Sequence, residues 1–167
     1  EGKWQYQGAS SAMTKHGIIR NNTDLEFEAT AQSACSFSLR SSKETKERYP
    51  FDFDFKVRYK LVDRSLEMIY DIENTGSQPL PFICGGHTAY ACPIDNDTAL
   101  TDYVVEFPGK EVLVAETLAE SGLLGYKQRK YQLENGALNL SESLFNDDAL
   151  IFANIGIDHC ILRKKSA

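Results

Sequence analysis

The sequence predicts an all-β fold, an antiparallel β-sandwich that reads as truncated at both ends. Three observations carry that prediction. Apolar side chains recur with a period of two along most of the chain, which is the period of a half-buried strand. Clusters of Gly, Pro, Asn, Asp and Ser separate these runs at short intervals, as hairpin connections require. Helical periodicity is almost absent, and no heptad or internal repeat appears.

Taken in order, Gly8 to Met13 reads as a loop. Leu25, Phe27 and Ala29 alternate with polar residues, and Cys35, Phe37 and Leu39 do the same, giving two strands. The clearest strand follows: Phe51, Phe53, Phe55, Val57, Tyr59 and Leu61 alternate with Asp52, Asp54, Lys56, Arg58 and Lys60. One face is apolar and the other charged, as an antiparallel sheet with one wet side demands. Val62-Asp63-Arg64-Ser65 then forms a turn into a strand bearing Leu66, Met68, Tyr70 and Ile72 on one face, so the pair is a hairpin. Asn74 to Ser77 and Pro79 to Pro81 are turn chemistry. An apolar strand at Phe82 to Cys84 runs into a Gly pair. Shorter strands are expected at Tyr103 to Phe107, Glu111 to Val114 and Ile157 to Leu162, with a loop at Gly122 to Gly125. Leu140 to Phe145 is a single helical turn with Ser141 as its cap.

The chain has 167 residues, enough for one domain over 1–167 with a real core. It carries 18 Lys+Arg against 24 Asp+Glu, a net charge of −6, so no basic excess exists to neutralise phosphates and a nucleic-acid partner is excluded. Apolar residues at 42% exclude a disordered or low-complexity chain. No run approaches the roughly 18 apolar residues of a membrane span. The longest are short, as in Ala149 to Ala153. No basic segment followed by an apolar stretch opens the chain, so no signal peptide is visible. Cys35, Cys84, Cys92 and Cys160 form no C-x-x-C pair, which argues against zinc and for free buried thiols in a reducing cytoplasm. Sequons at Asn21, Asn96 and Asn139 weigh little without a secretory signal.

Four places depart from plain strand patterning, and chemistry is sought there. In Lys15-His16-Gly17-Ile18-Ile19-Arg20, a His and an Arg straddle a Gly and two apolar residues. A His moves protons near neutral pH and an Arg holds oxygens in a fixed fork, although a solvated basic loop has the same composition. In Phe82 to Tyr90, the pair Gly85-Gly86 permits a sharp turn or close backbone approach before His87, and Tyr90 can stack on a sugar face or simply pack. Glu44 to Phe51 is a charged loop entering the best strand, with Lys43, Lys46 and Arg48 as rim cations. In Gly156 to Leu162, Asp158 and His159 sit in an apolar strand, where the Asp can accept hydrogen bonds from hydroxyls. Nucleotide-loop, α/β-hydrolase and zinc-protease motifs are absent.

Together the ordered set His16-Gly17-x-x-Arg20, Glu44-Thr45, Tyr49-Pro50-Phe51-x-Phe53, Asn74 and Gly85-Gly86-His87-x-Ala89-Tyr90 resembles the aldose 1-epimerase (galactose mutarotase) superfamily. Leu144-Phe145-x-x-Asp148-Ala149-Leu150-Ile151-Phe152 is similar to its lactose-operon-associated branch. The resemblance implies the supersandwich fold and interconversion of the α and β anomers of a hexose without a cofactor or metal. It implies that His87 is the general acid, that His16 is a second His near the ring oxygen, and that Arg20, Asp158 and Tyr90 contact the sugar. The family's base is a Glu on a later strand, which places it beyond Ala167; Glu106 and Glu111 do not stand in for it. Thr88 and Tyr90 occupy positions where this branch usually has Pro and Phe. The implied partner is a small hexose (galactose, glucose or a phosphorylated hexose), the implied location cytoplasmic. A non-catalytic carbohydrate-binding module is the alternative, and a β-sandwich interaction domain with no small ligand is a third reading.

Overall fold

The computed structural model describes residues 2–14, 16–119 and 122–165. Nearly all regular structure is antiparallel strand, as the period of two requires. The chain divides into two compact units, Glu1–Gly86 and His87–Ala167.

The first unit opens with a hairpin of β1 (Gly2–Tyr6) and β2 (Ala9–Met13), paired from Gly2↔Met13 to Tyr6↔Ala9. The second of these strands replaces the loop expected at 8–13. Its Ala and Ser side chains give no apolar alternation, so pairing with β1, not patterning, makes it a strand. Gln7 and Gly8 both adopt positive φ (47° and 84°), the geometry that a two-residue hairpin turn needs.

A four-stranded meander follows: β3 (Glu26–Ala31), β4 (Ala34–Arg40), β5 (Phe53–Val62) and β6 (Ser65–Asn74), in that spatial order. The register sets Leu39 and Ile72 on either side of Phe55, and Phe37 and Tyr70 on either side of Val57. Leu39, Phe53, Phe55 and Val57 are buried, and Ile18, Ile19, Tyr49, Tyr59 and Tyr70 pack against them. The opposite face carries the charges, including the Arg58–Asp71 pair at 2.8 Å between β5 and β6. The alternation read from the sequence is therefore the inside–outside alternation of the sheet.

Between β4 and β5 lies α1 (Lys43–Lys46), a single turn where a charged loop was expected. Ser42 and Thr45 form a reciprocal capping box: the Ser42 hydroxyl accepts from Thr45 N–H and the Thr45 hydroxyl accepts from Ser42 N–H. The hydrogen bond from Lys46, aided by its charge and by Ser41, holds the Asp52 carboxyl below the usual range.

The second unit contains β7 (Tyr103–Glu106), β8 (Val112–Leu118), β9 (Leu124–Gln132), β10 (Ala137–Asn139) and β11 (Ile161–Lys164). β7 is the central strand between β10 and β11, and β8 pairs with β9 in a separate ribbon. Phe107, Leu113, Leu133 and Leu138 form the core. β9 escapes sequence reading because Leu124-Gly125-Tyr126-Lys127-Gln128-Arg129-Lys130 buries almost nothing, and Tyr126 is fully exposed. The strand expected at Ile157 to Leu162 begins only at Ile161, so Asp158 and His159 lie in the preceding loop. Glu142–Phe145 is a 3₁₀ turn, but Ser141 bonds the Ser143 hydroxyl and does not cap it.

Candidate functional site

In the first unit, His16 and Arg20 are exposed on the loop that follows β2; Lys15 lies outside the described residues. Gly17 N–H donates to Thr14 O at 3.0 Å, and the Thr14 hydroxyl donates to Gly17 O at 3.1 Å, closing a tight turn. His16 and Gly17 have positive φ (72° and 76°). Ile18 and Ile19 face the other way and pack on the core of β4 and β5. The apolar pair thus anchors the loop, and the flanking His and Arg are exposed.

The segment leading to His87 is held by Asn74, in the turn expected at 74–77, and by Tyr49. Asn74 accepts from Gly76 N–H at 3.0 Å and donates to Gln78 O at 2.9 Å, fixing the turn after β6. The Tyr49 hydroxyl donates to Pro81 O at 2.6 Å. Tyr49 is itself set in an aromatic cluster with Trp4, Phe51 and Phe53. Burial pushes the Tyr49 phenol up. The expected apolar strand at Phe82 to Cys84 is not formed. Pro79 and Pro81 lack N–H donors, and Phe82 and Ile83 are exposed.

Gly86 has a steric reason. A Cβ there would lie 2.9 Å from Tyr70 Oη, while the next atoms, Met68 Cε and Tyr70 Cζ, are at 3.9 Å. The backbone before His87 therefore rests directly on a tyrosine hydroxyl of β6. Desolvation raises the Tyr70 phenol, with smaller contributions from Tyr59 and Cys84.

In the second unit, His87 and Tyr90 are exposed on a loop without regular structure, and Tyr90 is 77% exposed. The downstream half of that loop is tied to the Tyr103 hydroxyl. Asp158 is exposed on the loop before β11, where Ile155 and Ile157 pack against the core. Most of the motif at 144–152 is structural: Leu144, Leu150 and Phe152 pack on that core, and Ile151 O accepts from Glu116 N–H at 2.8 Å.

The five candidate residues thus fall as His16 and Arg20 in one unit, and His87, Tyr90 and Asp158 in the other. A depression of about 480 Å³ lies on the charged face of β4–β6, lined by Arg40, Asp54, Lys56 and Asp71 among others. Another of about 330 Å³ lies beside Glu134, Asn139, Arg163 and Lys165. None of the five candidates lines either. Among the described residues no three His, Cys, Asp or Glu side chains cluster as metal ligands, and no helix is long and apolar enough to cross a membrane. All four cysteines are free, but none is buried as expected: Cys84 and Cys160 are exposed, and Cys35 and Cys92 are half-buried. Sequence reading did not find Tyr70 or Tyr103 beside this segment, because a hydroxyl that meets a loop looks like any strand tyrosine.

A family profile described as aldose 1-epimerase matches residues 2–167. Protein LacX of Lactococcus lactis subsp. lactis, in its plasmid and chromosomal forms, is 27% identical over 156 residues, covering 92% of this chain and 52% of LacX. The crystal structure of a galactose mutarotase related enzyme from Lactobacillus acidophilus superposes with a TM-score of 0.85 at 29% identity, over 97% of this chain and 54% of that one. A galactose mutarotase-like protein from Lactobacillus casei shares the fold, with a TM-score of 0.69 at 21% identity over 91% of this chain and 52% of that one. The chain spans about half the length of the relatives it matches.

Proposed function

The chain belongs to the aldose 1-epimerase family, and on that premise we propose that the whole protein binds a hexose and interconverts its α and β anomers. The observation that carries this reading is the Gly85-Gly86-His87 loop, whose glycine rests on Tyr70 and whose histidine is exposed. A histidine serves as a general acid when its imidazole lies within hydrogen-bond reach of the oxygen it protonates.

In this reading a Glu beyond Ala167 removes the proton from the C1 hydroxyl while His87 protonates the ring oxygen. The C1–O bond breaks, the open aldehyde rotates about C1–C2, and the hydroxyl adds back to the other face with both protons returned. His16 binds near the ring oxygen, Arg20 and Asp158 hold hydroxyls, and Tyr90 offers a ring face to the sugar. The hexose is galactose, glucose or a phosphorylated relative. Four free thiols, two of them exposed, suit a reducing cytoplasm.

Polarimetry on freshly dissolved α-galactose and α-glucose with the intact protein tests the proposal. Acceleration over spontaneous mutarotation is expected. His87→Ala should reduce it by on the order of 10²- to 10⁴-fold, the usual cost of losing a general acid. An unchanged spontaneous rate at saturating protein overturns the enzymatic reading, and hexose binding without acceleration would favour a non-catalytic sugar-binding module.

A further inference from the structure

We infer that Tyr103 is a positioning residue for the loop that carries His87, acting through a buried hydroxyl that holds the loop's downstream half in one conformation. The structural part stands on hydrogen bonds alone; the catalytic part rests on the hexose reading above.

Tyr103 opens the central strand β7, paired through β11 at Lys164, and its side chain is completely buried. A phenol hydroxyl offers one donor and two acceptor lone pairs. Ile94 N–H donates to Tyr103 Oη at 3.1 Å and Asp95 N–H at 3.2 Å, filling both lone pairs. The third neighbour is Thr98 Oγ1 at 2.9 Å. Thr98 has a single hydroxyl proton, and that proton goes to Asp95 O at 2.7 Å. Tyr103 O–H must therefore donate to Thr98 Oγ1. The whole hydrogen-bonding capacity of one buried hydroxyl is spent on residues 94–98.

That segment has no strand or helix to satisfy its backbone, so the hydroxyl supplies what a ladder would. A phenylalanine would fill the same core volume and leave two N–H groups and the Thr98 oxygen without this partner. The hydroxyl is thus dispensable for packing and specific to the loop. His87 lies in the stretch without strand or helix between Asn74 and Leu100, and Ile94 follows it seven residues later. Proton transfer to a sugar ring oxygen needs the imidazole within hydrogen-bond reach, and small misplacements cost rate steeply.

The test uses Tyr103→Phe and Thr98→Val in the full-length protein. Hydrogen exchange at the Ile94 and Asp95 amides should accelerate in both variants, and the His87 imidazole NMR signals should shift. Mutarotation should fall about ten-fold in kcat for Tyr103→Phe, with less change in KM. In a His87→Ala background the same change should cost almost nothing further, because the loop then has no acid to place. Unchanged amide exchange and unchanged His87 signals in Tyr103→Phe overturn the inference. So does a loss of rate that persists undiminished in the His87→Ala background, the mark of a general defect in folding. If Tyr103→Phe does not fold, Thr98→Val decides on the same readouts, since it removes the acceptor of the phenol proton, together with the Thr98 bond to Asp95 O, and leaves the buried Tyr103 side chain in place. If His87→Ala keeps full activity, the hexose mechanism fails, and amide exchange still judges the clamp.

Discussion

Gly86 shows how much a single missing methyl group can decide. A Cβ at this position would press on Tyr70 Oη at 2.9 Å, so the end of that side chain, whose ring lies 6.4 Å from the Phe55 ring, has to give way. Gly86→Ala is expected to destabilise the protein by about 1 kcal/mol, the low end of the range for overpacking, because Gly86 is exposed and the close contact is with the end of one side chain. Adding Tyr70→Phe should recover most of that loss, since every other neighbour of the added methyl is at 3.9 Å. Denaturant unfolding of the two single variants and the double variant measures the coupling, and strictly additive losses would contradict the close contact. At this scale the sequence revealed that a Gly pair precedes His87 but not which glycine is needed. A close approach is a distance between residues far apart in the chain, and Gly85, with nothing within 4 Å of its added Cβ, looks identical in the sequence.

Elements were legible in proportion to how much they bury. β5 declared itself because Phe53, Phe55 and Val57 face one core while Asp54, Lys56 and Arg58 face water. β2 and β9 were missed because their partners, not their own side chains, hold them in the ladder. α1 was missed for another reason: a four-residue turn is too short to show a period, and its signal is the Ser42–Thr45 capping box. Ser42→Ala should cost about 1 kcal/mol, as the loss of an N-cap hydroxyl typically does. Chemical denaturation measures this, and Ser42→Asn, which keeps an acceptor, should retain most of the stability. An equal loss in both variants would show that the cap is not what holds this turn.

For the whole molecule, the family match extends over residues 2–167 while the relatives are about twice as long. The consequence that can be measured is ligand linkage. If the intact protein binds a hexose, free sugar at a hundred-fold excess over Kd adds about 2.7 kcal/mol to its stability and raises Tm accordingly. Thermal unfolding with galactose, glucose and a hexose phosphate ranks the ligands, and an unmoved Tm with all three at high concentration contradicts sugar binding. By itself the sequence determined the all-β class, the β5–β6 hairpin, the family resemblance and the order of the motif residues, because alternation and motif spacing are properties of neighbours along the chain. Only the tertiary structure decided that Leu144, Leu150 and Phe152 are core, that Asp158 sits on a loop, and that Tyr70 and Tyr103 support the segment on either side of His87. Those facts depend on which hydroxyl meets which backbone across long stretches of chain, and no local pattern encodes such a meeting.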